Sequence, residues 1–311
     1  MRKALLLSAV AAMFLFSCKK EHNAPVKPGP KMYKVTFDMA SQFTQTTNAL
    51  KFGRPQTNSL QINSPTSDIA AYASVIQLGI FNSSGALIRK IVQNAGDVTN
   101  FGVIVDSLAT GTYTVIALAG QTGVTLGFNN AVDETESVYY TNAGGQFLPW
   151  SDTFYDKFSL TITNGPVNQS VALTRIVSKL EVDFNDVIPA NASRLDIELN
   201  QEDFLYTTST GLPAQPDTIT YHLTVPDSVK GTNTYKVSEI VLNTTTPFSV
   251  IITAYDASNT VIATHTVTNV TCTVNQRTIL TGNFSNAPAN TGTNFSVTVN
   301  PGWSAPNIIH Y

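Results

Sequence analysis

The sequence predicts an all-β fold, and three observations carry that prediction. Strand-like runs recur roughly every 8–15 residues, and turn-forming Gly, Asn or Pro clusters separate most of them. No stretch sustains a helical period. The chain is rich in β-branched threonine, with 41 Thr and 26 Asn, whereas charged residues make up only 13%, against roughly 25% in an average soluble domain. Hydrophobic residues make up 42%, enough to build a core and to argue against disorder.

The N-terminus reads as an export signal. A basic start, Met1-Arg2-Lys3, precedes an apolar run over residues 4–16 and then Ser17-Cys18, which is the pattern of a secretory signal peptide. The run is shorter than the ~20 residues that span a bilayer. Leu15-Phe16-Ser17-Cys18 resembles a bacterial lipobox. We therefore expect residues 1–17 to be removed and Cys18 to carry lipid. We expect the protein to be anchored by this lipid in the outer membrane and exposed at the cell surface. The alternative is that Cys18 is a buried or chance cysteine without lipid.

Charge is distributed unevenly along the mature chain. Residues 18–54 carry seven basic groups and two acidic ones, whereas residues 55–311 carry nine basic and nineteen acidic groups. Residues 18–31 therefore read as a flexible basic tether that suits an anionic membrane surface, although a solvated linker without a specific role fits equally well. The net negative charge of residues 55–311 argues against nucleic-acid binding, which needs a basic face. We therefore expect no nucleic-acid partner.

The N-terminal half of the body reads as one β-sandwich. Tyr33–Met39 alternates apolar and polar residues, as a half-buried strand does. Residues 41–68 are polar and predict a long loop. A hairpin follows, with Val75–Phe81 and Ala86–Val92 flanking a turn. Leu108–Ala119 predicts another strand with a glycine turn near its start.

The C-terminal half predicts a second sandwich of similar length. It starts with the run over residues 171–184, and its further predicted strands cluster around residues 194–199, 218–225, 237–242, 248–255, 261–267, 270–281 and 294–300. Two halves of about 140 residues are ordinary domain sizes. We therefore expect an N-terminal domain over residues 32–170 and a C-terminal domain over residues 171–311.

An aromatic cluster in residues 139–158 is the best candidate for a binding surface. Exposed rings can stack on sugars, whereas buried rings would fix long loops onto the sandwich. The rings that could contact a glycan are Tyr139, Tyr140, Trp150 and Tyr155. The packing alternative is favoured, and both remain open at this point.

The sequence shows no signature of catalysis. It lacks HExxH, GxSxG, P-loop and GxGxxG motifs, and no pair of its four histidines has metal-ligand spacing. Two acidic pairs, Asp152 with Asp156 and Glu202 with Asp203, are expected to be solvated loop acids. Cys272 is the one cysteine besides Cys18 and is expected to be a buried strand residue. We therefore expect no enzyme, no cofactor and no metal.

Several motifs together resemble the fimbrillin superfamily of Bacteroidetes, and most closely its fimbrillin-associated anchor lipoproteins. The resemblance covers nearly the whole mature chain. Its motifs are the lipobox, Val35-Thr-Phe-Asp38 leading to Phe43-Thr44, Ile80-Phe81 with Gly85-Ala-Leu87, Leu108 with Gly111-Thr-Tyr-Thr-Val115, Val171-Ala-Leu-Thr-Arg175-Ile-Val-Ser-Lys179-Leu-Glu-Val182, Asn275-Gln-Arg277-Thr-Ile-Leu-Thr-Gly282 and Trp303. It implies two tandem transthyretin-like β-sandwich domains and a structural, adhesive role in a pilus, with other fimbrial subunits as partners.

The resemblance also implies assembly by strand donation. A sandwich that lacks one strand has unpaired backbone and an open core, and a neighbour's strand satisfies both. Shaft subunits of the family lose their first strand after an Arg. Here the nearby candidate, Arg54, precedes Pro55, an unfavourable context for cleavage. We therefore expect Tyr33–Met39 to stay in place, which would make this chain a terminating anchor.

The C-terminal tail is the candidate for holding the next subunit. Phe295, Val297 and Val299 alternate with polar residues over residues 294–300. This pattern is typical of a donated strand and equally of an ordinary last strand of the chain's own domain.

The alternative function is a surface glycan-binding lipoprotein of a nutrient-uptake system, for which a surface glycan or host ligand would be the partner.

Overall fold

The structure, a computed structural model, describes residues 29–40, 69–127, 137–144, 146–285 and 295–300. The described part of the chain contains strands and two single-turn 3-10 helices, but no α-helix, so the predicted all-β class is confirmed. The strands of the N-terminal half are β1 (Met32–Asp38), β2 (Val75–Phe81), β3 (Leu87–Asn94), β4 (Val103–Ala109), β5 (Gly111–Gly120), β6 (Val124–Gly127), β7 (Ser137–Tyr140), β8 (Phe154–Ile162) and β9 (Val167–Ser170). Those that follow are β10 (Thr174–Arg175), β11 (Ser178–Phe184), β12 (Ala192–Thr207), β13 (Leu212–Thr224), β14 (Lys236–Val241), β15 (Phe248–Asp256), β16 (Val261–Val270), β17 (Arg277–Gly282) and β18 (Ser296–Asn300). The 3-10 turns are Ile69–Ala71 and Asp227–Val229.

Two sheets form the first sandwich. One has the strand order β4-β1-β9 and the other β10-β8-β5-β2-β3. Their facing side chains form one core, in which Phe37 of β1 and Leu78 of β2 are fully buried. Alternation along β1 is what allows its apolar residues to face this core while its polar residues face outward.

The second sandwich has the same two-sheet plan. Its sheets have the orders β14-β11-β17-β18 and β16-β15-β12-β7-β6, and β13 pairs with β12 as a long hairpin. Val182 of β11 and Ile252 of β15 belong to its core, which also contains Cys272. Cys272 is buried as expected, at 4% exposure, but the expectation that it is a strand residue is wrong, because it lies in the connection between β16 and β17.

A third core joins the two halves. The β6–β7 hairpin belongs to the N-terminal half in sequence but extends the sheet of the C-terminal half, because β7 pairs with β12. Val138 of this hairpin packs with Ile116 of β5 and Leu242 of the second half. The sheet that contains β2 and β5 therefore has apolar layers on both faces. This explains why Val75–Phe81 is buried at every position instead of alternating.

The described residues from Met32 onward form one compact unit. The expected domain boundary at residue 170 falls between β9 and β10 and stays a prediction, since a hairpin from the N-terminal side pairs across it. Cys18, most of the tether, Arg54 and Trp303 lie outside the described residues.

Candidate assembly interface

The first strand occupies the centre of its sheet. β1 is antiparallel to β4 and parallel to β9, and its residues Val35–Asp38 are paired on both sides. Val35, Phe37 and Met39 have no exposed surface. The Phe37 ring also lies 6.5 Å from the Phe158 ring, centroid to centroid. The chain's own β1 therefore fills the position between β4 and β9, which would be an open groove if β1 were removed.

The neighbouring loops hold the end of β1. The Met39 N–H donates to the Gly102 carbonyl at 2.8 Å, and the Val171 N–H donates to the Asp38 carbonyl at 2.9 Å. Gly102 has a φ of 95°, a conformation that favours glycine. A side chain there would also approach Ala40 and Ile69 within 3.3 Å. The chain exit from β1 is thus as tightly packed as the strand itself.

The C-terminal strand pairs within its own domain. β18 is antiparallel to β17, with Val297 opposite Leu280 and Val299 opposite Thr278. β18 is the last strand of this sheet among the described residues, so its outer edge is unpaired there. The alternative of an internal last strand therefore describes this structure, and donation to a neighbour stays a prediction.

Two of the candidate donor residues, Phe295 and Val297, differ in their surroundings. Phe295, just before β18, is 7% exposed, and its ring lies 6.2 Å from Phe184 and 5.3 Å from His265. Val297 is 42% exposed. Leaving the sheet would therefore cost the Phe295 contacts, whereas Val297 already faces solvent.

Three of the four candidate glycan-contact rings are interior side chains. Tyr140, Trp150 and Tyr155 are 2%, 4% and 8% exposed, and all three belong to the core that joins the halves. Their polar atoms are satisfied within the chain: Trp150 Nε1 donates to the Asp203 carbonyl at 2.9 Å, and Tyr155 Oη donates to the Thr208 carbonyl at 3.1 Å. Such rings offer no face to a sugar, which corrects the glycan-contact interpretation for them and favours the packing alternative.

Tyr139 remains at the surface. It is half-buried and meets Phe147 edge to face at 6.0 Å, and Phe147 in turn lies 5.6 Å from Phe204. Phe147 is 46% exposed. Tyr139 and Phe147 are thus members of the predicted cluster that solvent reaches, and they are joined by Phe204, about fifty residues downstream, which has no local sequence signal.

A buried ion pair ties the two halves together. The Arg175 guanidinium donates two hydrogen bonds to the Asp152 carboxylate, at 2.6 and 2.7 Å, and a third to Asn275 Oδ1 at 2.6 Å. Both charged side chains are at least 90% buried. Burial raises the pKa of the Asp152 carboxyl, and the hydrogen bonds and charge of Arg175 oppose that rise. The expectation that Asp152 is a solvated loop acid is therefore wrong.

Glu202 and Asp203 are also buried, at 1% and 5% exposure, so the same expectation is wrong for them. They sit where the pairing of β12 shifts register, between Leu199 and Glu202. Glu202 Oε1 accepts the Leu242 N–H at 2.6 Å, while Oε2 has no partner among the described residues. Burial raises the pKa of Glu202 to about 8, against the lowering effect of backbone hydrogen bonds. Their burial depends on a loop forty residues away, which local sequence does not reveal.

Other signs of chemistry are sparse in the described part of the chain. No group of three or more His, Cys, Asp or Glu side chains there has an arrangement that could hold a metal. Burial raises the pKa of the Cys272 thiol to about 11, so this thiol is unreactive at neutral pH. No helix among the described residues is long and apolar enough to cross a bilayer.

Taken together, these features define a class of protein: an all-β protein with a β-sandwich fold, whose described residues form several paired sheets. Comparison with family models identifies the particular family. The chain belongs to the fimbrillin-A associated anchor proteins Mfa1 and Mfa2, whose family model matches residues 35–308. This confirms the resemblance drawn from the motifs and supports a structural role as a fimbrial anchor or accessory subunit. No curated protein matches the chain by sequence.

Solved structures share the fold at low sequence identity. The fimbrial anchor protein Mfa2 of Porphyromonas gingivalis is 15% identical, with a TM-score of 0.53 over 88% of this chain and 98% of that one. A candidate polysaccharide-binding protein of Bacteroides thetaiotaomicron is 9% identical, with a TM-score of 0.55 over 89% and 99%. A candidate adhesin of the same organism is 10% identical, with a TM-score of 0.52 over 89% and 98%. At these identities the likeness concerns the fold.

Proposed function

We propose that this protein is a lipid-anchored subunit that holds a fimbrium at the cell surface and ends the chain of donated strands. Cys18 attaches it to the outer membrane, and other fimbrial subunits are its partners. Membership of the anchor family supports the general role. The observation that carries the finer proposal is the position of β1 in the middle of its sheet.

An occupied groove cannot accept a donated strand. Strand addition needs unpaired backbone groups and exposed apolar surface, but Val35–Asp38 is hydrogen-bonded on both sides. Displacing β1 would also expose Val35, Phe37 and Met39, which are fully buried, at about 1.5–3 kcal/mol each. A subunit that keeps β1 is therefore an end point of assembly at this groove.

Anchoring and the retention of β1 require the same covalent continuity. Cleavage after Arg54 would separate the body from Cys18 and would remove β1 together with the tether. Because Pro55 follows Arg54, an Arg-directed protease meets a poor site. An intact chain from Cys18 to β1 therefore serves both the anchor and the closed groove.

The C-terminal strand is the segment proposed to hold the next subunit. It lies at a sheet edge among the described residues and carries no charge over Ser296–Asn300. Donation would require β18 to leave β17. A disulfide between β17 and β18 would prevent this, and Ile279 and Thr298 are direct register partners. Direct partners in antiparallel strands have Cβ atoms about 4.5–5.5 Å apart, near disulfide range.

The locked variant Ile279→Cys with Thr298→Cys tests donation. If β18 is donated, oxidised cells should shed fimbriae into the medium, and mild reduction during assembly should restore retention. The matched control is Thr298→Cys alone. Full retention with the disulfide formed would refute donation by β18 while leaving the anchor role intact.

The mature N-terminus tests the proposal as a whole. Mass analysis of the protein extracted from fimbriated cells should find lipidated Cys18 as the first residue and an unbroken chain through residue 54. Arg54→Ala should leave this product unchanged. A mature protein that begins at Pro55 would contradict the proposal, because β1 and the anchor would both be lost.

The glycan-binding alternative is not favoured, since Tyr140, Trp150 and Tyr155 are interior.

A further inference from the structure

Two consecutive residues at the register shift of β12 hold the connection between β14 and β15. The Gln201 carbonyl accepts a hydrogen bond from the Asn243 side chain at 2.5 Å, and Glu202 Oε1 accepts the Leu242 N–H at 2.6 Å. Leu242 and Asn243 are fully buried, and Leu242 belongs to the core that joins the two halves. Because amide groups do not titrate, the Glu202 contact is the one that a proton can change.

The Glu202 carboxyl group is buried without a countercharge. The residue is 1% exposed, and its second oxygen, Oε2, has no hydrogen-bond partner. No ion pair with a Lys, Arg or His reaches it from the described part of the chain. Glu181 is also buried, but its Oε2 lies 3.3 Å from Arg277 Nη1. A buried carboxyl that lacks such a partner becomes neutral instead of staying ionised, so the packed arrangement requires protonated Glu202.

The titratable groups around Glu202 supply no positive charge either. They are Asp203 on β12, Tyr221 on β13, Glu239 on β14 and Cys272 in the β16–β17 connection. Burial raises the pKa of Glu202 to about 8 and that of Glu239 to about 7, whereas solvated carboxyl groups titrate near about pH 4. Protons are therefore lost from this part of the sandwich close to neutral pH.

We propose that Glu202 is a proton-dependent latch: its neutral form holds the β14–β15 connection against β12, and loss of the proton releases that connection locally, so that water reaches the carboxylate. The pKa of Glu202 is higher in the closed state than in a hydrated, open one. The closed state is therefore favoured most below about pH 4.5, and this advantage is lost as pH rises towards 8. Because the connection carries Leu242, the joint between the halves is firmest in acid.

Amide hydrogen exchange of the mature chain, residues 18–311 with Cys18→Ala for solubility, tests the latch. NMR compares the protection of the Leu242 amide at pH 5.5 and pH 7.5, after correction for the intrinsic pH dependence of exchange. The protection factor should fall by at least about tenfold over this range. At pH 7.5 it should also be at least about tenfold below that of the Phe37 amide on β1, because a local opening needs less free energy than global unfolding.

Glu202→Gln keeps a side-chain oxygen for the Leu242 N–H but cannot ionise, so its Leu242 protection should not depend on pH. Glu181→Gln is the matched control, because Glu181 is a buried glutamate that already faces a guanidinium. It should retain the pH dependence of the wild type.

Three results would overturn the proposal. The first is Leu242 protection that is the same at both pH values in the wild type. The second is wild-type pH dependence in Glu202→Gln, or its loss in Glu181→Gln. The third is equal protection of Leu242 and Phe37 at pH 7.5, since the connection would then open only when the whole chain unfolds. None of these results bears on the anchoring role.

Discussion

Truncating Phe37 measures how firmly β1 belongs to this chain. Phe37 is fully buried at the centre of β1, and its ring packs near Phe158. Phe→Ala at such core sites costs about 3–5 kcal/mol, from lost transfer free energy and the remaining cavity. Domain stabilities are typically about 5–15 kcal/mol. Phe37→Ala should therefore remove a large share of the free energy of unfolding.

Urea unfolding of the mature chain with Cys18→Ala, followed by tryptophan fluorescence and circular dichroism, gives the comparison. Thr36→Ala is the control: Thr36 lies on the same strand, is half-buried and alternates away from the core, so its replacement should cost less than about 1 kcal/mol. The expected difference between the two variants exceeds about 2 kcal/mol. A loss below about 1 kcal/mol for Phe37→Ala would refute the reasoning, because β1 would then be a dispensable strand that a neighbour could displace.

Three further predictions concern the buried polar groups. Because the pKa of Glu202 is raised from 4.5 to about 8, its contribution to stability is fully present below about pH 4.5 and is lost as pH rises towards 8. Glu202→Gln should therefore gain stability relative to wild type across that range, by an upper limit of about 4–5 kcal/mol, and a pH-independent difference in chemical denaturation would contradict this. Arg175→Met leaves Asp152 buried and unpaired, so it should lower the free energy of unfolding by about 3–5 kcal/mol. Adding Asp152→Leu should recover most of that loss. Failure to recover it would show that the buried charge of Asp152 is not the cause. Tyr155→Phe removes the hydrogen bond to Thr208 and should cost about 1–3 kcal/mol in thermal unfolding, whereas an unchanged Tm would mean that this contact does not hold the halves together.

The sequence predicted the fold where a strand could be recognised from its own residues. β1 alternates apolar and polar positions and was predicted within a residue of its bounds. The β6–β7 hairpin was missed, because its apolar residues are few and its partner strand β12 lies more than sixty residues downstream. β12 was predicted to end at Leu199 but continues to Thr207, since the polar run at the register shift hides the strand.

The polar interior could not be predicted in the same way. Asp152 and Glu202 read as loop acids because their neighbours in sequence are polar or turn-forming. Their burial depends on Arg175 and on the Leu242 backbone, which only the tertiary structure brings close. The aromatic residues proposed to contact a glycan are buried for a related reason. Trp150 and Tyr155 lie in loop-rich sequence, which indicates exposure, but the third core encloses them. That core forms only when residues from both halves of the chain pack together.

Retention of fimbriae on the cell tests the central claim most directly. Cells that lack this protein should release fimbriae into the culture medium, and wild-type protein should return them to the cell surface. Cys18→Ala protein, which folds but lacks the lipid attachment, should not restore retention. Equal amounts of cell-bound fimbriae with and without the protein would contradict the account of this chain as the anchor.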